Sequence, residues 1–200
     1  MTARLLWARI FDREPDDWYA EAPALAVALF REIAFDGQIV DPACGRGAIL
    51  VAADACGLDR WGSDLHERAY GSWPGADEVA DFLADERSAE NIVSNPPYDI
   101  ADQWLAHALR ITERRVALLL PLRWLASERR VSAGTGAALA SVVILTPRPS
   151  IPPGRLLQAQ QIVPSGGKTD YAWFVWEKGH VGRPDIRWGR WRSVVLPGFQ

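Results

Sequence analysis

Hydrophobic positions along this chain fall into two alternating periodicities. Ala24, Leu25, Ala28, Leu29 and Ile33 recur near helical spacing and predict a helix over Trp18 to Ile33. Gln38 to Asp41 follows as a short strand that runs into a glycine-rich turn. Ala48 to Cys56 predicts a second helix, stopped by Gly57. Arg60 to Asp64, Glu78 to Leu83 and Asn91 to Asn95 read as three more strands, the last cut off by Pro96-Pro97. Ala101 to Arg110 predicts a helix, and Arg115 to Leu120 is a continuous apolar run of the kind that is buried on both faces of a sheet. Val142 to Thr146 and Tyr171 to Glu177 are further strands, and residues 147–168, rich in Pro, Gly and Gln, read as a loop. Strands alternating with helices predict a single α/β domain over residues 1–200, built on an open, mostly parallel sheet. Ligands of such a sheet bind beyond the carboxyl ends of its strands.

Composition changes this picture mainly through charge. The 200 residues carry a net charge of only −3, but unevenly. Residues 1–100 hold 8 Arg against 19 Asp and Glu, a net of −11, whereas residues 101–200 hold 14 Arg and Lys against 6 Asp and Glu, a net of +8. That segregation predicts one face that meets a polyanion and one that does not. Of the 22 basic residues 20 are Arg, the side chain suited to bidentate phosphate and base contacts. Two cysteines, Cys44 and Cys56, are too few for a disulfide framework or a zinc cluster. No apolar run approaches the roughly 20 residues that span a bilayer, and Arg4, Arg9, Asp12 and Arg13 interrupt any apolar stretch at the N-terminus. The expectation is a cytoplasmic protein with no membrane and no metal.

The chemistry is concentrated at strand ends. The first strand closes on Asp41-Pro42-Ala43-Cys44-Gly45-Arg46-Gly47, where two glycines let the backbone approach a ligand and the following helix N-terminus can hold a carboxylate. A dinucleotide fingerprint needs a third Gly where Leu50 stands, and Gly167-Lys168-Thr169 lacks the first glycine of a phosphate loop because residue 162 is Ile. Asp64, 23 residues after Asp41, ends the second strand, where a carboxylate can accept from ribose hydroxyls. Asp81-Phe82 ends the third: an acceptor for an adenine amino group beside an aromatic ring.

The fourth strand ends in Asn95-Pro96-Pro97-Tyr98. The amino group of adenine is a poor nucleophile because its lone pair is delocalised into the ring. Two acceptors for its N–H bonds, the Asn95 carboxamide oxygen and the Pro96 carbonyl, would free that lone pair. Consecutive prolines stiffen the loop, which suits electrostatic preorganisation. Tyr98 can stack on a base that has left the helix. Neither cysteine has a neighbouring base, so a covalent cysteine mechanism is not expected.

Together these strings resemble the class I S-adenosylmethionine-dependent methyltransferases that act on amino nitrogens, over most of the chain. The resemblance implies a Rossmann-like fold with an antiparallel C-terminal strand. It implies S-adenosylmethionine as cofactor, held by Asp41, Ala43, Gly45, Gly47, Asp64, Asp81 and Phe82. It implies catalysis by Asn95, Pro96, Pro97 and Tyr98. Leu119 to Leu125 with Arg129-Arg130, Pro147 to Ser150, and Gly167 to Trp176 are similar to segments of small phage-type N6-adenine DNA methyltransferases. In that group the chain before the glycine turn, here Trp18 to Pro23, also helps close the cofactor site.

DNA is the partner this implies, and RNA the alternative. Arg123, Arg148 and Lys168 are the phosphate candidates, and loop 147–168 the recognition element, because no separate target-recognition domain is present. The same chemistry on RNA adenine N6, guanine N2 or a protein glutamine amide is the nearest rival; a non-catalytic cofactor-binding subunit is another. Arg183, Arg187, Arg190 and Arg192 interleave with Trp188 and Trp191 at strand spacing, which favours packing over a base platform.

Overall fold

The computed structural model describes residues 17–128, 138–161 and 167–196. The first helix, α1 (Pro23–Glu32), starts at a proline. The ring fixes a helical φ where no N–H is needed and pushes the preceding residue out of helical space. Ala22 accordingly sits at φ −88°, ψ 142°. The helix therefore begins at Pro23 rather than Trp18, and residues 17–22 form a non-helical strap, bridged at Tyr19 to Pro153. There follow β1 (Ile39–Asp41), α2 (Ala48–Ala55), β2 (Arg60–Asp64), β3 (Glu78–Val79), β4 (Ala89–Ser94), α3 (Ala101–Ile111), β5 (Thr112–Pro121), β6 (Leu139–Thr146), α4 (Gly154–Gln158), β7 (Tyr171–Glu177) and β8 (Asp185–Arg190).

The described strands form one sheet in the order β3-β2-β1-β4-β5-β7-β6-β8. The first five are parallel, β7 runs antiparallel to both β5 and β6, and β8 lies parallel to β6 at the edge. The mostly parallel sheet and the antiparallel strand near the C-terminus are as expected. The central strands alternate between two cores. From β5, Ala117 and Leu119 pack with Leu25 and Leu29 of α1, Ile49 of α2 and Trp173 of β7. Its Val116, Leu118 and Leu120 pack on the other face with Trp104 and Leu105 of α3 and with Phe174 and Trp176. A strand covered on both faces has no polar side, which is why residues 115–120 read as an unbroken apolar run. The Trp173 indole N–H, buried inside this core, donates to the Leu25 carbonyl at 2.9 Å. Where α2 approaches β2 most closely, the glycine is on the strand: a Cβ on Gly62 would lie 2.6 Å from the Leu50 side chain.

Three expectations need correction. The third strand is only Glu78–Val79, because the Asp81 carboxylate accepts from the Leu83 N–H at 3.0 Å and caps a 3-10 turn over Phe82–Ala84. Residues 147–168 are not wholly loop, since they contain α4. The stretch of arginines and tryptophans at strand spacing forms the edge strand β8, but Trp188 on it is exposed rather than packed. Among the described residues no helix is long and apolar enough to cross a membrane.

Candidate functional site

The parallel strands deliver their carboxyl ends to one edge, and the motif residues meet there. Asp41 pairs in register with Gly62, so the turns after β1 and β2 open side by side. The glycine turn is built from within. Asp41, fully buried, accepts from the Ala43 N–H at 3.2 Å and from the Ser94 hydroxyl at 2.7 Å. Asp64 accepts from the Gly45 N–H at 2.8 Å. Gly45 (φ 55°) and Gly47 (φ 90°) occupy left-handed backbone, and Gly47 opens α2.

Ahead of the α2 N-terminus, most N–H groups of the turn itself are engaged by protein. Ala43 and Gly45 donate to carboxylates, Cys44 to the Ser63 carbonyl and Gly47 to the Cys44 carbonyl. A further group suited to an anion is Arg46, which sequence reasoning passed over. Its guanidinium is buried, donates to the Glu21 carbonyl at 2.8 Å and to the Tyr70 hydroxyl at 3.2 Å, and lies 3.7 Å over the Trp73 ring. Its Nε has no partner among the described residues.

A cavity of about 530 Å³ joins these parts, within the usual range for small-molecule sites. Ala43, Gly45 and Arg46 line one region, Asp64 and Arg68 another, and Asp81, Phe82 and Trp104 a third. Asn95 and Pro97 close the wall. Phe82 and Trp104 face each other with ring centroids 4.2 Å apart, giving this region an aromatic floor. Asp64 also accepts from the His66 N–H at 3.0 Å and from Arg68 at 3.2 Å, and the Arg68 guanidinium rests 4.4 Å from the Trp18 ring. Asp41 and Gly47, expected at the cofactor, are not in the cavity wall; they shape the turn behind it. Five carboxylates line the space (Asp17, Glu21, Asp64, Asp81 and Asp99) against two guanidinium groups. Burial raises the Asp41 carboxyl well above the ordinary range, with Glu21 adding to the effect, and burial likewise raises Glu21. Cys44 is buried and burial pushes its thiol up, so it is no nucleophile.

The strap 17–22 ties the Asn95–Tyr98 loop to this cavity. The Asp17 carboxylate accepts from the Tyr98 N–H at 2.7 Å. The Asn95 carboxamide NH₂ donates to the Tyr19 carbonyl at 2.9 Å and to the Glu21 carboxylate at 2.8 Å. The Asn95 carboxamide oxygen accepts from the Tyr98 hydroxyl at 2.9 Å. Both amide protons are thus committed to protein, and only the oxygen retains capacity for a ligand. The Tyr98 ring lies parallel to Tyr19, centroids 6.3 Å apart, and tilted against Tyr171 at 6.2 Å. Pro96 is buried behind the wall and Tyr98 is half-buried beside it, and neither is among the residues that line the cavity. The strap is braced from outside by Pro152–Gly154: the Ala20 N–H donates to the Pro152 carbonyl and the Gly154 N–H to that of Trp18. The N-terminal segment therefore packs against the glycine turn. Glu21, Tyr19 and Tyr171 fall in segments that the family resemblance marks, but nothing in the sequence singles them out individually.

The cationic candidates stand at the same sheet edge. Arg123 follows β5, Arg148 follows β6 and Lys168 precedes the antiparallel β7, and all three are exposed. Arg148 is paired with Asp170 at 2.6 Å. Because the first half of the chain builds β1 to β4 and the second half β5 to β8, charge segregation in sequence becomes a gradient along the sheet. Arg129-Arg130, the N-terminal arginines and Ile162 lie outside the described residues. Among the described residues no group of three His, Cys, Asp or Glu side chains could hold a metal ion.

No protein-family model matches the sequence, and no curated protein matches it. Solved structures do. The magnesium protoporphyrin IX methyltransferase of Synechocystis PCC 6803, solved with bound S-adenosylmethionine, matches with TM-score 0.51 at 16% identity, over 78% of this chain and 76% of that one. The methyltransferase subunit of a type I restriction-modification system from Streptococcus thermophilus matches with TM-score 0.53 at 14% identity, over 83% and 45%. TrmN from Thermus thermophilus matches with TM-score 0.51 at 23% identity, over 78% and 48%. This chain spans about half the length of the last two. These likenesses establish the fold as the Rossmann-like fold of class I methyltransferases.

Proposed function

We propose that this chain is an S-adenosylmethionine-dependent methyltransferase acting on an exocyclic amino nitrogen, with adenine N6 in DNA as its target. The observation that carries the reading is that one cavity connects the glycine turn to Asn95, whose carboxamide can offer a ligand only its oxygen. The lining fits the cofactor. Arg46, with its orphaned Nε, suits the carboxylate of the methionine part. Asp64 suits the ribose, and Phe82 with Trp104 and Asp81 suits the adenine. Five carboxylates in the wall would repel the phosphates of a nicotinamide cofactor and favour a cation, which weighs against a dinucleotide. When bound, S-adenosylmethionine supplies an electrophilic methyl group on a sulfonium.

The chain's own part is binding and preorganisation. The Asn95 carboxamide oxygen accepts from an N–H bond of the target amine, drawing its nitrogen toward tetrahedral geometry, and Pro96, buried behind the wall, backs that loop. Tyr98 supports the flat ring, and neighbouring Tyr19 and Tyr171 limit its tilt. Proximity of the aligned reactants does most of the remaining work. Nucleic acid as substrate is supported by exposed Arg123, Arg148 and Lys168 along the edge where Asn95 stands, and DNA by the resemblance of the segment Gly167 to Trp176 to small phage-type N6-adenine DNA methyltransferases.

The test is transfer of a labelled methyl group by the purified chain to DNA, RNA and protein in parallel, followed by hydrolysis to nucleosides and amino acids. Label in N6-methyladenine from DNA is expected. Label confined to RNA or to glutamine would move the substrate, and no transfer to any of the three would overturn the reading.

A further inference from the structure

A buried carboxylate needs a reason to be where it is, and among the described residues Glu21 has no counter-charge in direct contact. It is 6% exposed, lies in the cavity wall, and burial raises its carboxyl while the hydrogen bond from Asn95 opposes that rise. Arg46 reaches the Glu21 backbone carbonyl, not its side chain. Among the described residues, the side chain that engages the Glu21 carboxylate is Asn95, through its NH₂ at 2.8 Å.

This pairing has a consequence for the chemistry at position 95. Carboxamide oxygen and nitrogen are nearly isosteric, so an asparagine in a symmetric pocket can face either way. Here two acceptors, the Tyr19 carbonyl and the Glu21 carboxylate, converge on one side, and a donor, the Tyr98 hydroxyl, stands on the other. A flipped amide would set its oxygen against a carboxylate and a carbonyl, and its NH₂ against the amine it must hold. We propose that Glu21 is the positioning residue that fixes the facing of the Asn95 carboxamide and makes asparagine, rather than aspartate, the working acceptor in this chain. The inference rests on the amino-methylation reading and adds a specific requirement to it. An aspartate at position 95 would put two carboxylates at hydrogen-bond distance in a buried site. Such a pair holds one proton between them and titrates as a unit, with one apparent pKa strongly raised.

The experiment is a four-way comparison of the full chain: parent, Asn95→Asp, Glu21→Gln, and the double variant. Methyl transfer to DNA, cofactor affinity and thermal unfolding are measured from pH 5.5 to 9. Glu21→Gln keeps an oxygen for the Asn95 NH₂ and is expected to retain activity within about tenfold. Asn95→Asp alone is expected to lose about a hundredfold in kcat near pH 8, the scale of removing one preorganised polar contact. It should recover as pH falls and the carboxyl pair takes up its proton. The double variant restores a donor–acceptor pair with its direction reversed, and should regain most of that loss and flatten the pH profile. Cofactor affinity should stay within a few-fold throughout.

A double variant no better than Asn95→Asp at any pH would overturn the proposal, as would a pH-independent defect in the single variant. The unfolding arm separates the two readings. If the parent methylates nothing, the proposed function fails, and pH-dependent destabilisation by Asn95→Asp that Glu21→Gln relieves still decides whether the carboxylate governs position 95.

Discussion

The indole of Trp18 lies against Gly154 so closely that a Cβ at 154 would sit 2.3 Å from the ring, while on the other side a Cβ on Gly45 would stand 3.0 Å from the indole nitrogen. Trp18 is therefore a plate between the glycine turn and the brace at α4. Gly154→Ala must displace it, and overpacking of this kind costs about 1–3 kcal/mol. The expected result is cofactor binding weakened about five- to a hundredfold by titration calorimetry. A variant that binds the cofactor like the parent would show that Trp18 does not govern the site.

Tyr98 combines a hydroxyl on Asn95 with a ring between Tyr19 and Tyr171. Burial raises its phenol well above the ordinary range, so it stays a neutral donor across the working pH range. Tyr98→Phe keeps the plate and should lower kcat less than Tyr98→Ala. Loss of the ring forfeits base stacking worth about 1–3 kcal/mol, roughly five- to a hundredfold in kcat/KM. Equal effects of the two variants would place the function in the hydroxyl instead.

Asp41 is a buried carboxylate whose Oδ2 has no partner among the described residues. Its folded-state pKa is raised, so its contribution is complete below the unfolded value and is lost as pH rises through the folded one. Asp41→Asn keeps an acceptor for Ala43 and Ser94 and cannot ionise. The variant should therefore unfold at a higher temperature than the parent at pH 8, and the gap should shrink toward pH 4. Each unit between the two pKa values is worth about 1.4 kcal/mol. A penalty that is the same at every pH would contradict this account.

The exposed cations predict a salt signature. Each phosphate contact removed should lower the slope of log affinity against log salt by about one for duplex DNA. Arg123→Ala and Lys168→Ala should do so without changing cofactor affinity. Arg148→Ala should do less, because Asp170 already holds that guanidinium, and Asp170→Asn should strengthen binding. Unchanged slopes in all of these variants would remove this edge from the interface.

Strand positions were legible where periodicity was clear, in the parallel half and in the antiparallel β7 alike. Residues 60–64 and 171–177 form strands over the residues expected, and the glycine turn and Asn95 converge as the motif spacing implied. The misreadings have local causes. Pro23 moved a helix start that apolar spacing alone would place at Trp18. Asp81 cut a strand short by capping its own turn. The residues that bind the site together, Glu21, Tyr19, Arg46 and Gly154, act through tertiary contacts between segments far apart in sequence. A glutamate in a polar-looking stretch carries no sign that it will be buried against an asparagine 74 residues away.

A crystal structure of the chain with S-adenosylmethionine tests the central claim most directly. The account predicts the cofactor's carboxylate on Arg46 and its adenine over Phe82, with the methyl-bearing sulfur facing the Asn95 carboxamide oxygen across a gap that admits one flat ring. A methyl group turned away from Asn95, or a cofactor seated outside this cavity, would contradict it.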